Sequence, residues 1–123
     1  MTTSTSICNV ERQGEIALLT PTMNLGELVY EEFEAVVYTT LEMLDRREVR
    51  HVVIDFERTD YFGSHTITLL MKLGQKARSL GGKLALANLS AREKEILKAT
   101  KLDTFWPIHP SRKDALELVQ AAD

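Results

Sequence analysis

The chain has 123 residues, 44% hydrophobic and 27% charged, with a formal net charge of −3, enough for one compact soluble domain with a single core and too little for two. Acids flank the bases, as Asp45 and Glu48 flank Arg46 and Arg47, which argues against nucleic acid as a partner; one cysteine excludes an internal disulfide, and the scattered His51, His65 and His109 exclude a zinc set. No secretory leader pattern opens the chain and no run of about eighteen apolar residues suits a membrane, so a cytoplasmic protein without metal or cofactor is expected.

Residues 1–6, MTTSTS, are polar and short, and a disordered tail is expected there, followed by a domain over 7–122. Two extended runs then meet at Gln13-Gly14. Glycine supplies the positive φ of a tight hairpin turn, which predicts strands near 7–12 and 15–20. Cys8 lies in the first and reads as a small core or edge residue. Asn24 and Glu27 stand at the cap and third positions of a helix start. Behind them Val29, Phe33, Val36, Val37, Leu41 and Leu44 recur at three and four residues, with Glu27, Glu31, Glu32 and Glu34 in the first turns and Arg46 and Arg47 at the end. The spacing predicts a long amphipathic helix ending near Asp45, its glutamates on the solvated face.

Residues 52–56, VVIDF, form a β-branched run without alternation, the pattern of a central strand covered on both faces. The loop ERTDYFG follows. From Ser64, the residues Ile67, Leu70, Leu73, Gly74, Ala77 and Leu80 share one helical face; Lys76 and Arg78 suit the helix end, and Gly81-Gly82 stops it. KLALAN, 83–88, is a second buried strand. Ser90 and Glu93 make a capping box for a helix to about Thr100. FWPI, 105–108, is a short strand with Pro107 marking an edge, and SRKD, 111–114, opens a last helix through Val119. The order β-β-α-β-α-β-α-β-α gives an α/β single domain: four helices on a mixed sheet, with parallel strands joined by right-handed crossovers.

In open α/β sheets, sites lie beyond the carboxyl ends of the strands, which directs attention to the loop 57–63 and to Ser64. By residue type alone Ser64 is an N-cap contributing about 1 kcal/mol. The hydrolase elbow G-x-S-x-G would need glycines where the chain has Phe62 and Thr66, and His65, adjacent to Ser64, points elsewhere. Neither phosphate-binding glycine motif occurs. Asp55, inside a strand, and Asp60, in the loop, do not form an acid/base pair.

Over roughly residues 48–119, from EVRHVVIDFERTDYFGSHTITLLMKLGQKARSLGGKLALANLS to LDTFWPIHPSRKDALELV, the chain resembles the STAS domain of bacterial anti-sigma factor antagonists. The hairpin and acidic helix fit the family's N-terminal part. Members carry Asp-Ser-Ser/Thr-Gly at the start of the helix after the central strand. A partner serine kinase, itself the anti-sigma factor, phosphorylates the first of those hydroxyl residues, and Ser64 stands at that position. Gly81-Gly82 and Ser90 also match. Gly63 stands where the family has its acid, His65 at the second hydroxyl and Thr66 at the glycine.

The resemblance implies a STAS-like, non-enzymatic domain that binds a serine-kinase anti-sigma factor and is switched off by phosphorylation on Ser64. It also implies a docking surface of Asn24, Gly63, His65, Thr66 and Thr68. Two other readings stand beside it: His65 as a phosphocarrier, and a scaffold that is never phosphorylated, to which the missing acid at 63 points.

Overall fold

The computed structural model describes residues 2–4 and 7–121. Its elements are β1 (Thr2–Ser4), β2 (Cys8–Gln13), β3 (Ile16–Pro21), α1 (Tyr30–Asp45), β4 (His51–Asp55), α2 (Ser64–Ser79), β5 (Leu84–Ala87), α3 (Ala91–Ala99), β6 (Ile108–His109) and α4 (Arg112–Ala121). Short 3-10 turns occupy Glu27–Val29 and Leu102–Thr104. The strands make one sheet in chain order, antiparallel from β1 to β3 and parallel from β3 to β6. This is the mixed α/β sheet with four helices that the element order predicts. The hairpin closes with Gln13 opposite Ile16 and Gly14 at φ +59°.

Both faces of the sheet are covered, which is why β3, β4 and β5 lack alternation. Ala17, Leu19, Val52, Ile54, Leu84 and Leu86 point into the larger core, with Phe33 and Val37 of α1 and Leu69, Leu70 and Leu73 of α2. The intervening residues Ile16, Leu18, Val53, Ala85 and Ala87 form a smaller core with Ala115 and Val119 of α4. β4 lies inside the sheet, and all five of its residues are buried. It therefore delivers the loop behind it to the middle of one sheet end.

Three segments differ from expectation. Thr2–Ser4 lie antiparallel to Asn9, Val10 and Glu11 of β2 instead of hanging as a tail, because the open edge of a strand offers backbone partners to an adjacent extended segment; residues 1, 5 and 6 of that expected tail, and 122 of the expected domain, lie outside the described residues. Asn24 does not cap the first helix. α1 begins only at Tyr30, behind the 3-10 turn, with no side-chain cap, because the Asn24 oxygen is engaged by the loop after β4. The edge strand is Ile108–His109, not 105–108. Phe105 is exposed, while Trp106 turns inward onto Gly74 of α2, where a Cβ would stand only 2.6 Å from the indole Nε1. Burying that ring takes precedence over extending the strand.

Candidate functional site

The loop between β4 and α2 is held from two sides. From one side, Asn24 Oδ1 accepts from the amides of Asp60 at 2.7 Å and Tyr61 at 3.2 Å, and Leu25 forms an isolated parallel bridge with Phe62. From the other, Ser90 Oγ donates to the Asp60 carbonyl at 2.6 Å, and Arg92 reaches the Asp60 carboxylate at 3.0 Å. Ser90 and Glu93 make the expected capping box of α3, and Glu93 also accepts from Thr59 Oγ1 at 2.5 Å. Glu93 is fully buried, so a carboxylate that the pattern marks only as a cap also anchors the loop. Phe62 is buried against Phe56, with ring centroids 5.3 Å apart.

Held in this way, the loop presents Ser64 as the first residue of α2. Ser64 is exposed, as expected, but it is not the cap. Gly63 occupies the N-cap with extended φ −90° and ψ 178°, and no side chain caps the helix. The reason is geometric: Gly63 N donates to Leu25 O at 3.0 Å, and Thr66 N to Gly63 O at 3.1 Å, so the helical ladder starts one residue earlier than the hydroxyl. Among the described residues the Ser64 hydroxyl has no hydrogen-bond partner, and the Ser64 and His65 amides have no acceptor. An unengaged hydroxyl thus stands beside unengaged donors at the positive end of a 16-residue helix.

The other expected surface residues divide. Asn24, His65 and Thr68 are exposed around Ser64. The His65 ring lies 4.7 Å from that of Tyr30, tilted by 51°, and Thr68 Oγ1 donates to Ser64 O at 3.4 Å. Asn24 is both surface and strut. Thr66 does not belong to the surface: it is buried, and its Oγ1 donates to Leu25 O at 2.9 Å. It sits one step round the helix on the core side, where an interior acceptor satisfies its hydroxyl. Gly63 is half-buried, and a Cβ built there meets only Leu25 O, at 3.9 Å. An acid at 63 would fit.

Exposed apolar residues not anticipated from the pattern flank the same end: Met23 beside Asn24, Leu28 in the 3-10 turn at 100% exposure, and Tyr61 before Phe62. Arg92 lies over the Tyr61 ring, 5.1 Å from its centroid. The available signal was Leu28 itself, an apolar residue between Glu27 and the stripe that starts at Val29.

A second polar cluster lies on the α4 side of the sheet. Asp55, with 1% of its side chain exposed, pairs with Arg112 Nε at 2.8 Å and accepts from Asn88 Nδ2 at 2.8 Å and the Glu57 amide at 3.0 Å. Arg112 Nη2 donates to Thr20 Oγ1 at 3.0 Å. Arg112 opens α4, Asp55 ends β4 and Thr20 lies in β3, so the two Arg112 bonds clasp helix to sheet. Among the described residues no three His, Cys, Asp or Glu side chains are grouped to hold a metal ion, and no helix is long and apolar enough to cross a membrane.

An interior parallel strand, a pinned loop and an exposed serine opening the next helix, on a sheet with four helices, define an α/β domain with a surface site at one sheet end. The chain belongs to the STAS domain family, whose model matches residues 8–115. It is similar to an anti-sigma-factor antagonist (STAS) domain protein from Planctomyces limnophilus, with 26% identity, 92% of this chain and 97% of that one covered, and a TM-score of 0.78. SpoIIAA of Bacillus in its phosphorylated form matches with 18% identity, coverage of 91% and 98%, and a TM-score of 0.71. The murine anion transporter Slc26a9 matches with 19% identity and a TM-score of 0.73 over 90% of this chain but only 18% of the transporter. Among curated proteins no sequence matches.

Proposed function

We propose that this STAS domain is an anti-sigma factor antagonist that binds a serine-kinase anti-sigma factor and is switched off by phosphorylation on Ser64. The observation that carries this reading is the unengaged Ser64 hydroxyl, exposed at the start of α2. No buried contact has to break for a kinase to reach it. The phosphate would bring about −1.5 to −2 charges to a helix N-terminus, where the open amides tolerate an anion without refolding. The change is confined to the surface. A partner seated over Met23, Leu28, Tyr61 and His65 would have to desolvate a dianion at the centre of its footprint, and each 1.4 kcal/mol of that cost weakens binding about tenfold. The domain acts through protein contact, not catalysis.

Incubation with ATP and the serine-kinase anti-sigma factors of its own organism, followed by peptide mass mapping, tests this directly. Acid-stable phosphate on Ser64, and loss of kinase binding in Ser64→Asp but not Ser64→Ala, are expected. Acid-labile phosphate would instead assign the group to His65. Equal binding of both variants to every partner would favour the scaffold reading. That second reading draws on Gly63, which stands where the family carries an acid, and on the Slc26a9 likeness, in which a similar domain is a small part of a larger protein.

A further inference from the structure

A cavity of about 760 Å³ opens between the second half of α2, the start of β5 and the segment 102–107. It lies well away from Ser64: Arg78, on its wall, is fourteen residues further along α2, about 21 Å at the helical rise. Its volume falls within the range of small-molecule pockets. Leu84 and Leu102 line it, and Met71 and Phe105, 41% and 65% exposed, add apolar surface. Among the described residues, Arg78 and Lys83 are the only ionisable groups on the wall. Among the described residues neither makes an ion pair. Trp106 also lines the cavity; the residue is 7% exposed, and its indole N–H, which has no acceptor among the described residues, still reaches solvent.

A tryptophan N–H beside apolar surface is a polar handle that a ligand in the same cavity can engage. Gly74 carries no side chain, and the indole nitrogen packs into the space that one would take, 2.6 Å from the position of a Cβ. A donor without a protein acceptor, two cations without counter-ions and an apolar wall form a complementary set for one kind of molecule. We propose that this cavity binds a small amphipathic anion, a carboxylate or sulfonate on an apolar body, with Trp106 Nε1 donating to it, Arg78 and Lys83 supplying the positive charge and Met71, Leu84 and Phe105 covering the apolar part. The inference is independent of any event at Ser64.

Trp106 is the only tryptophan, so its fluorescence reports on the site without a label. The protein is titrated with anilinonaphthalene sulfonate and, below micelle formation, with dodecanoate; dodecyltrimethylammonium, with the same tail and opposite charge, is the control. Saturation at one equivalent with a shift in Trp106 emission is expected for both anions and not for the cation. The double substitution Arg78→Gln, Lys83→Gln should raise the dissociation constant at least tenfold with an unchanged thermal midpoint. Trp106→Phe, followed by calorimetry, should weaken binding severalfold. The proposal is overturned by absence of saturation, by equal binding of the cation, or by charge variants that bind like the parent. Self-association that shields Trp106 without added ligand, seen by sedimentation, overturns it as well.

Discussion

Leu25 and Thr66 meet at one oxygen: the Leu25 carbonyl accepts from Thr66 Oγ1 at 2.9 Å and also from the Gly63 amide at 3.0 Å. The segment before the first helix thereby fixes where α2 begins, and with it the position of Ser64. Replacing Thr66 by valine keeps the volume and removes the buried donor. Thr66→Val should cost about 1 kcal/mol, a fall of about 3 to 6 °C in thermal midpoint. Partner binding, measured below the midpoint, should change far less than in a His65→Ala variant, because Thr66 faces the core. A Thr66→Val protein as stable as the parent would show that the bond does not hold the helix start.

Two serines at helix starts should behave in opposite ways. Ser90 caps α3, accepting from the Glu93 amide at 3.1 Å, and donates to Asp60 O. Ser64 caps nothing. Ser90→Ala should therefore lose about 1 to 2 kcal/mol in urea denaturation, whereas Ser64→Ala should stay within about 0.5 kcal/mol of the parent. Comparable losses in both would mean that the Ser64 hydroxyl has a structural partner in solution.

Most of the architecture is legible in the chain because local signals agree with the fold. The Gly14 turn, the continuous apolar runs of β4 and β5 and the Ser90-Glu93 box each specify their element without help from distant residues. Asn24 departs from the expected cap because its side chain is equally suited to capping a helix or bridging a loop, and the amides of Asp60 and Tyr61 are 36 and 37 residues away. Ser64 and Gly63 differ by a single step of the ladder, which helix-boundary signals do not resolve. Thr66 stands four residues before Leu70 and seven before Leu73, on the face that those residues bury, and only its polar side chain disguises that placement in the sequence. The cavity beside Trp106 arises only when α2, β5 and the segment before β6 come together, and no local pattern encodes it.

Gly63 has room for a side chain and an ordinary backbone conformation for one. Aspartate at an N-cap accepts from the exposed amides and complements the helix dipole, whereas glycine does neither. Gly63→Asp should stabilise the fold by a few tenths of a kcal/mol, read as a small rise in thermal midpoint. If a kinase reads the acid found in the family, the same change should also speed phosphorylation of Ser64. A lowered midpoint would show that the space beside Leu25 O is not open to a carboxylate.

Cys8 is fully buried on β2, and that burial pushes its thiol up to about 12. A thiol in an unfolded chain ionises near 8.5. The sign follows: up to that pH both states keep the proton, and above it only the unfolded state releases it, so stability falls as pH rises from about 8.5 towards about 12. Cys8→Ala should flatten this decline in denaturation curves between pH 8 and 10, and the native thiol should resist alkylation at pH 8 until the chain is unfolded. Rapid alkylation of the folded protein would contradict the buried placement.

The Asp55–Arg112 clasp is asymmetric: the carboxylate is buried, while the arginine side chain is 38% exposed. Removing the arginine therefore leaves a charge in the interior, whereas removing the acid leaves one that can turn to water. Arg112→Met should destabilise by about 2 to 3 kcal/mol, below the usual range for breaking a buried pair, because Asn88 and the Glu57 amide still hold Asp55. In an Asp55→Asn background the same substitution should cost about 1 to 2 kcal/mol less, and urea denaturation of the four proteins gives that coupling directly. A coupling near zero would mean that the bond to Thr20 and the packing of the Arg112 stem, not the ion pair, seat α4 on the sheet.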